Sequence, residues 1–92
     1  MPQAKATQEP RRIEARAIIE GPTFEDLPQP GLRLIRLTIN HLAPLHWAQG
    51  ARVTVSYPEK NLVKVQTTLL RSGVDLRSKR ARLELVWDTR AK

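Results

Sequence analysis

The sequence predicts a mainly β protein: a small five-stranded antiparallel sheet or barrel with one short helical connection. Three observations lead there. Apolar and polar residues alternate with period two in several separate runs, as half-buried strands require. Proline, glycine and asparagine punctuate those runs at short intervals. The one helical candidate, His41–Gln49, is too short and too broken by Pro44 to stand alone.

Ninety-two residues hold one domain, and the chain has no cysteine. Disulfides, thiolate metal ligands and a Cys nucleophile are thereby excluded. Residues 1–10 are polar, aperiodic and contain two prolines, so they read as a disordered tail. Residues 11–90 then form a single β-rich domain. A domain of this size buries a modest share of its surface and gains from self-association.

Arg11–Glu20 alternates, with Ile13, Ala15, Ala17 and Ile19 on one face and Arg12, Glu14, Arg16 and Glu20 on the other. Ile18 breaks the pattern, and a helix competes because Ala, Glu and Arg favour it. Gly21–Gly31, with Pro22, Pro28 and Pro30, reads as an irregular loop from which Phe24 and Leu27 fold back onto the core. Leu32–Asn40 is the second strand. Ile35, Leu37 and Ile39 share one side with Arg33, and Arg36, Thr38 and Asn40 share the other. Leu32 and Leu34 make its beginning apolar on both faces, as in a central strand or one facing a second subunit.

His41–Gln49 supplies one or two helical turns, capped near Asn40 and stopped by Gly50, with Leu42, Leu45 and Trp47 plugging one end of the sheet. Ala51–Tyr57 and Leu62–Leu70 make a hairpin around Pro58-Glu59-Lys60-Asn61, where proline presets φ and asparagine tolerates the left-handed region. Val53, Val55 and Tyr57 face inward, answered by Val63, Val65, Thr67 and Leu69. Arg71–Lys79 reads as a polar linker with a turn at Ser72-Gly73. Arg80–Asp88 is the last strand, with Leu83, Leu85 and Trp87 inward.

The formal net charge of +7 and a pI near 10.9 call for a polyanionic partner. On the outward faces stand Arg36, Arg52 and Lys64 at the centre, then Arg12, Arg16, Arg80 and Arg82, among Thr, Ser, Asn and Gln. Acidic residues there are few: Glu14, Glu20, Glu84 and Asp88. Cations among small hydrogen-bonding groups suit phosphate oxygens and make binding salt-dependent. The plainer alternative is a solvated polar sheet face. Of four aromatics, Tyr57 and Trp87 point inward, and Phe24 and Trp47 sit in connections. No stacking platform for unpaired bases results, so duplex DNA is favoured over RNA. An acidic protein is the competing partner. No apolar run approaches a membrane span, and Met1–Pro10 lacks the apolar stretch of a signal peptide, so the expected location is cytoplasmic.

Chemistry has little to stand on. His41 and His46 could serve as acid and base, or join Glu25 and Asp26 around a metal, but five-residue spacing does not bring them to one helical face. No Gly-x-Ser-x-Gly or phosphate loop is present. The expectation is a binding protein with no catalytic residue, metal or cofactor. A small ribonuclease toxin is the enzymatic rival.

Leu37, Leu42, Trp47, Gly50, Val53, Val55, Leu62 and Val63 stand in an order that resembles the SymE-like branch of the AbrB/SpoVT/MazE group of small bacterial proteins, over about residues 35–65. His41 and His46 occupy positions where that pattern has Trp and Gly, and Lys60-Asn61 replaces its hairpin glycine. The resemblance implies a swapped-hairpin homodimer in a regulatory or toxin–antitoxin setting. It also implies DNA-contacting arginines at positions corresponding to Arg36 and Arg52.

Overall fold

Period-two alternation carries most of the chain into one sheet. The computed structural model describes residues 11–90, and the tail expected at 1–10 lies outside them. Six strands form: β1 (Arg11–Glu14), β2 (Ile18–Asp26), β3 (Leu32–Ile39), β4 (Arg52–Tyr57), β5 (Leu62–Asp75) and β6 (Arg80–Asp88). Single 3-10 turns occupy Ala15–Ala17, Ala43–His46 and Pro58–Lys60. The chain is thus mainly β, as expected, but with six strands instead of five, and the helical connection is reduced to the turn at Ala43–His46.

The strand order is β1-β4-β5-β6-β3-β2. β1 runs parallel to β4 and every other pairing is antiparallel, so the sheet is mixed, not antiparallel throughout. Nor is it a closed barrel, because the edge strands β1 and β2 do not pair. These two edges are nevertheless consecutive in sequence. Five strand spacings would hold the edges of a flat sheet ~24 Å apart. The chain from Glu14 to Ile18 reaches ~14 Å at most. The sheet must therefore curl around its apolar face.

The turn at Ala15–Ala17 is where helix propensity prevails over alternation, for one turn only. It divides the expected first strand and shifts its parity. Ile18, the apparent exception, packs on the core, while Ile19 is 41% exposed. The segment from Gly21 is not irregular either, since β2 continues through it to Asp26. An edge strand tolerates Pro22 because no ladder bond is lost. Gly21 has φ +85, and a Cβ there would lie 2.7 Å from the Arg36 carbonyl oxygen, so only glycine lets β2 pass so close to β3.

The β4–β5 hairpin forms as expected, with Asn61 left-handed at φ 61. Its inward set differs by one bulge. The register slips between Val55 and Tyr57, and Lys64 takes φ 50 with its N–H donating to Ser56 Oγ at 3.3 Å. Leu62 is consequently buried and Val63 is 68% exposed, while Thr67 and Leu69 point inward as expected. The buried Thr67 hydroxyl donates to the Val53 carbonyl at 2.8 Å, so it is satisfied. Ser72-Gly73 is no turn. Both residues pair with β6, opposite Leu83 and Arg82, and the reversal comes at Leu76–Lys79.

One core results, built from Ile13, Ile35, Leu37, Ile39, Val53, Val55, Leu62, Leu69, Leu83 and Leu85, all essentially inaccessible. Each such side chain contributes about 1.5–3 kcal/mol by leaving water. Trp47 packs against it, but Leu45 is exposed and Pro44 is the buried residue of that connection. Phe24 and Trp87 approach at 6.5 Å between ring centroids, and Arg33 lies 5.1 Å over the Phe24 ring while pairing with Asp26. No described helix is long and apolar enough to cross a membrane.

Candidate nucleic-acid interface

Strand parity places Arg12, Arg36, Arg52, Arg80 and Arg82 on the outer face of the sheet, opposite the buried Ile13, Ile35, Val53, Ala81 and Leu83. Lys64 reaches the same face through its bulge, and Arg16 is exposed in the first 3-10 turn. The strand order does not gather these residues into one site. Two strands, β5 and β6, separate Arg36 on β3 from Arg52 on β4.

Around Arg36 the register builds a ladder of alternating charge. Arg36 stands opposite Glu84, which stands opposite Arg71 across the next pair. The Arg36 Nη1 donates to Glu25 at 2.8 Å and its Nε to Glu84 at 3.1 Å, while Arg71 Nε donates to the other Glu84 oxygen at 2.9 Å. The Arg36 hydrogen bond, with Arg71 adding to it, holds the Glu84 carboxyl below its ordinary range against the opposing effect of burial. Glu84, then Glu25, raise Arg36 in turn. Arg36 is therefore committed within the chain. A phosphate would have to displace two carboxylates to reach it.

Across β1, β4 and β5 the surface is different. A depression of about 300 Å³ is lined by Arg12, Glu14, Thr54, Ser56, Lys64 and Gln66. Registers Arg12–Thr54 and Thr54–Gln66 put these side chains in one row, with Arg52 next along β4 and opposite Thr68. Arg12, Arg52 and Lys64 form no ion pair with any described residue. Three cations, three hydroxyl groups and one amide thus face outward together, with Glu14 the one carboxylate lining the depression. Such a surface can hold a row of phosphate oxygens.

Arg80 and Arg82 lie elsewhere, in a second depression of about 550 Å³ shared with Glu20 and Asp75. Neither makes an ion pair among the described residues, but both are shadowed by acid. Beside them the β5–β6 turn projects Arg77 and Lys79. Asp75 closes this turn by accepting the N–H groups of Arg77 and Ser78 at 3.0 and 3.4 Å. The Ser78 hydroxyl, then those N–H groups, lower the Asp75 carboxyl. Arg77 and Lys79 were legible as part of the run RSKRAR, and Arg71 was hidden because its strand read as a linker.

His46 is exposed at the end of its 3-10 turn and His41 is half-buried one turn earlier. Among the described residues no three His, Cys, Asp or Glu side chains gather where they could hold a metal ion. No family model matches the chain, and neither the characterised proteins nor the solved structures contain a match.

Proposed function

We propose that this protein binds nucleic acid, duplex DNA in preference to RNA, through the β1–β4–β5 part of its outer face, without catalysing a reaction. The observation that supports this most is the set Arg12, Arg52 and Lys64, free of carboxylate partners among the described residues and interleaved with Thr54, Ser56 and Gln66. A second support is the placement of the aromatics. Phe24, Trp47, Tyr57 and Trp87 all pack against the core, which leaves no ring platform for unpaired bases. Backbone contact with a duplex remains, supplemented by the turn carrying Arg77 and Lys79, since a two-stranded ribbon fits a major groove. Arg36, Arg80 and Arg82 are secondary in this reading, and Arg16 extends the patch beyond β1. On the resemblance to SymE-like and AbrB-like proteins, the setting would be regulatory or toxin–antitoxin-like, in the cytoplasm.

Titration with duplex DNA and with RNA at two salt concentrations tests it. DNA is expected to bind more tightly, with affinity falling steeply as salt rises. Replacing Arg12, Arg52 and Lys64 together by Gln should lower the log–log salt slope by roughly 2–3. Absence of binding at low salt, with recovery of one acidic protein in a pull-down, would shift the assignment to a protein adaptor.

A further inference from the structure

The edges of this sheet are unequally protected. β2 is blunted by Pro22, by register shifts on either side of Glu20, and by Glu25 and Asp26. β5 is covered on its β4 side only as far as Leu69, whose N–H donates to the Ala51 carbonyl and whose own carbonyl accepts the Gly50 N–H, both at 2.8 Å. Beyond that point the backbone pairing ends at Gly50, although the turn at Ala43–His46 still lies near β5, and β5 runs on to Asp75. Over residues 70–75 the side of β5 turned away from β6 makes no backbone hydrogen bond to any described residue. It carries no proline and no register break past Arg71. Two of the few exposed large apolar side chains among the described residues bracket it: Leu70 at 39% and Leu76 at 64%.

We infer that this open edge pairs with the same edge of a second copy of the chain, antiparallel and centred on Gly73, to make one continuous twelve-stranded sheet. The sequence of the edge is complementary to itself in that register. Gly73 meets Gly73, and neither has a Cβ to hold the backbones apart. Arg71 stands opposite Asp75 of the second copy and Asp75 opposite its Arg71, on the same face of the sheet. Leu70 stands opposite Leu76 of the second copy, so each exposed leucine gains an apolar neighbour. A shift of one residue in either direction loses all three matches. The occupant is therefore another copy and not an arbitrary strand. Pairing in this way also carries the second copy's turn, with Arg77 and Lys79, to the start of β4, where Arg52 stands. The inference rests on the sheet edge and not on the nucleic-acid reading.

The test is molar mass by light scattering on the full chain without nucleic acid, across the micromolar range, because seven paired residues in each copy make a small interface. The wild type is expected to approach twice its 10.5 kDa with concentration. Leu70→Glu should return it to 10.5 kDa, and Leu70→Glu combined with Leu76→Lys should restore the doubled mass by placing opposite charges across the join. Both leucines are exposed, and circular dichroism checks that each variant folds. A Gly73→Cys variant adds a direct probe. The chain has no other cysteine, and a Cβ at Gly73 meets nothing within 4 Å. A short bifunctional maleimide should cross-link Gly73→Cys to a dimer and leave Glu59→Cys monomeric. A wild type that stays at 10.5 kDa would overturn self-pairing and leave the edge to an extended segment of another protein. A dimer that survives Leu70→Glu without cross-linking through Gly73→Cys would overturn it as well.

Discussion

Arg36 and Arg52 occupy equivalent outward positions on β3 and β4, yet their electrostatic situations are opposite. Arg36 is held between Glu25 and Glu84 at 2.8 and 3.1 Å, whereas Arg52 meets no carboxylate among the described residues. Formal charge counts them equally. Register decides which is available, because it sets Glu84 across from Arg36 and Thr68 across from Arg52. The basic excess of this chain is thus divided between cations paired within the sheet face and cations that meet no carboxylate among the described residues.

Mutation can break that contrast. The largest effect is expected on binding. Replacing Arg12, Arg52 and Lys64 by Gln should weaken DNA affinity by roughly 100-fold at low salt, while Arg36→Gln with Arg71→Gln should change it by less than about threefold. Equal losses from the two sets, measured by fluorescence anisotropy, would remove the distinction. Next comes stability on the paired side. Gly21→Ala places a Cβ against the Arg36 carbonyl at a left-handed backbone position, and should lower unfolding free energy by on the order of 2–3 kcal/mol in urea titration.

A smaller effect sharpens the comparison by converting one class of cation into the other. Glu84→Gln removes the acceptor shared by Arg36 and Arg71. It should cost about 0.5–1 kcal/mol, as exposed ion pairs do, and raise DNA affinity severalfold as two arginines are released. Acid should mimic it. The folded Glu84 carboxyl lies below its ordinary value of 4.5, so its stabilisation is complete above that value and is lost as pH falls through the folded value. The wild type should therefore show an added stability loss below pH 4.5 that Glu84→Gln lacks. The smallest effect concerns the β5–β6 turn. Lys79 has φ 58, and Lys79→Gly should stabilise the fold by up to about 1 kcal/mol while removing one cation.

Much of the fold could be read from local pattern. β4 and β6 follow their alternation, and Asn61 takes the left-handed turn position that its side chain tolerates. What escaped was decided by distant partners. Gly21 and Pro22 are strand residues only because β3 lies alongside, and Ser72 and Gly73 only because β6 does. The exchange of Val63 for Leu62 in the core follows from a single left-handed residue, Lys64, whose side chain carries no signal of that conformation. The candidate site was legible as a set of outward cations. Its division was not, since the ion pairs join residues 11, 13 and 48 positions apart.

The 3-10 turn at Ala15–Ala17 has a consequence for how the molecule assembles. It fastens the first strand segment to β4 and the next to β3, at opposite margins of the sheet. β3 in turn is flanked by β6, the last strand of the chain. Residues 11–14 therefore have no strand to pair with until β4 has found its place, whereas β2 has its partner β3 directly after it in the chain. Folding must close one long loop, of about forty residues, before β1 is rewarded, and such non-local closure slows folding. β1 is thus a long-range clasp on β4, with Ile13 buried in the core beneath it.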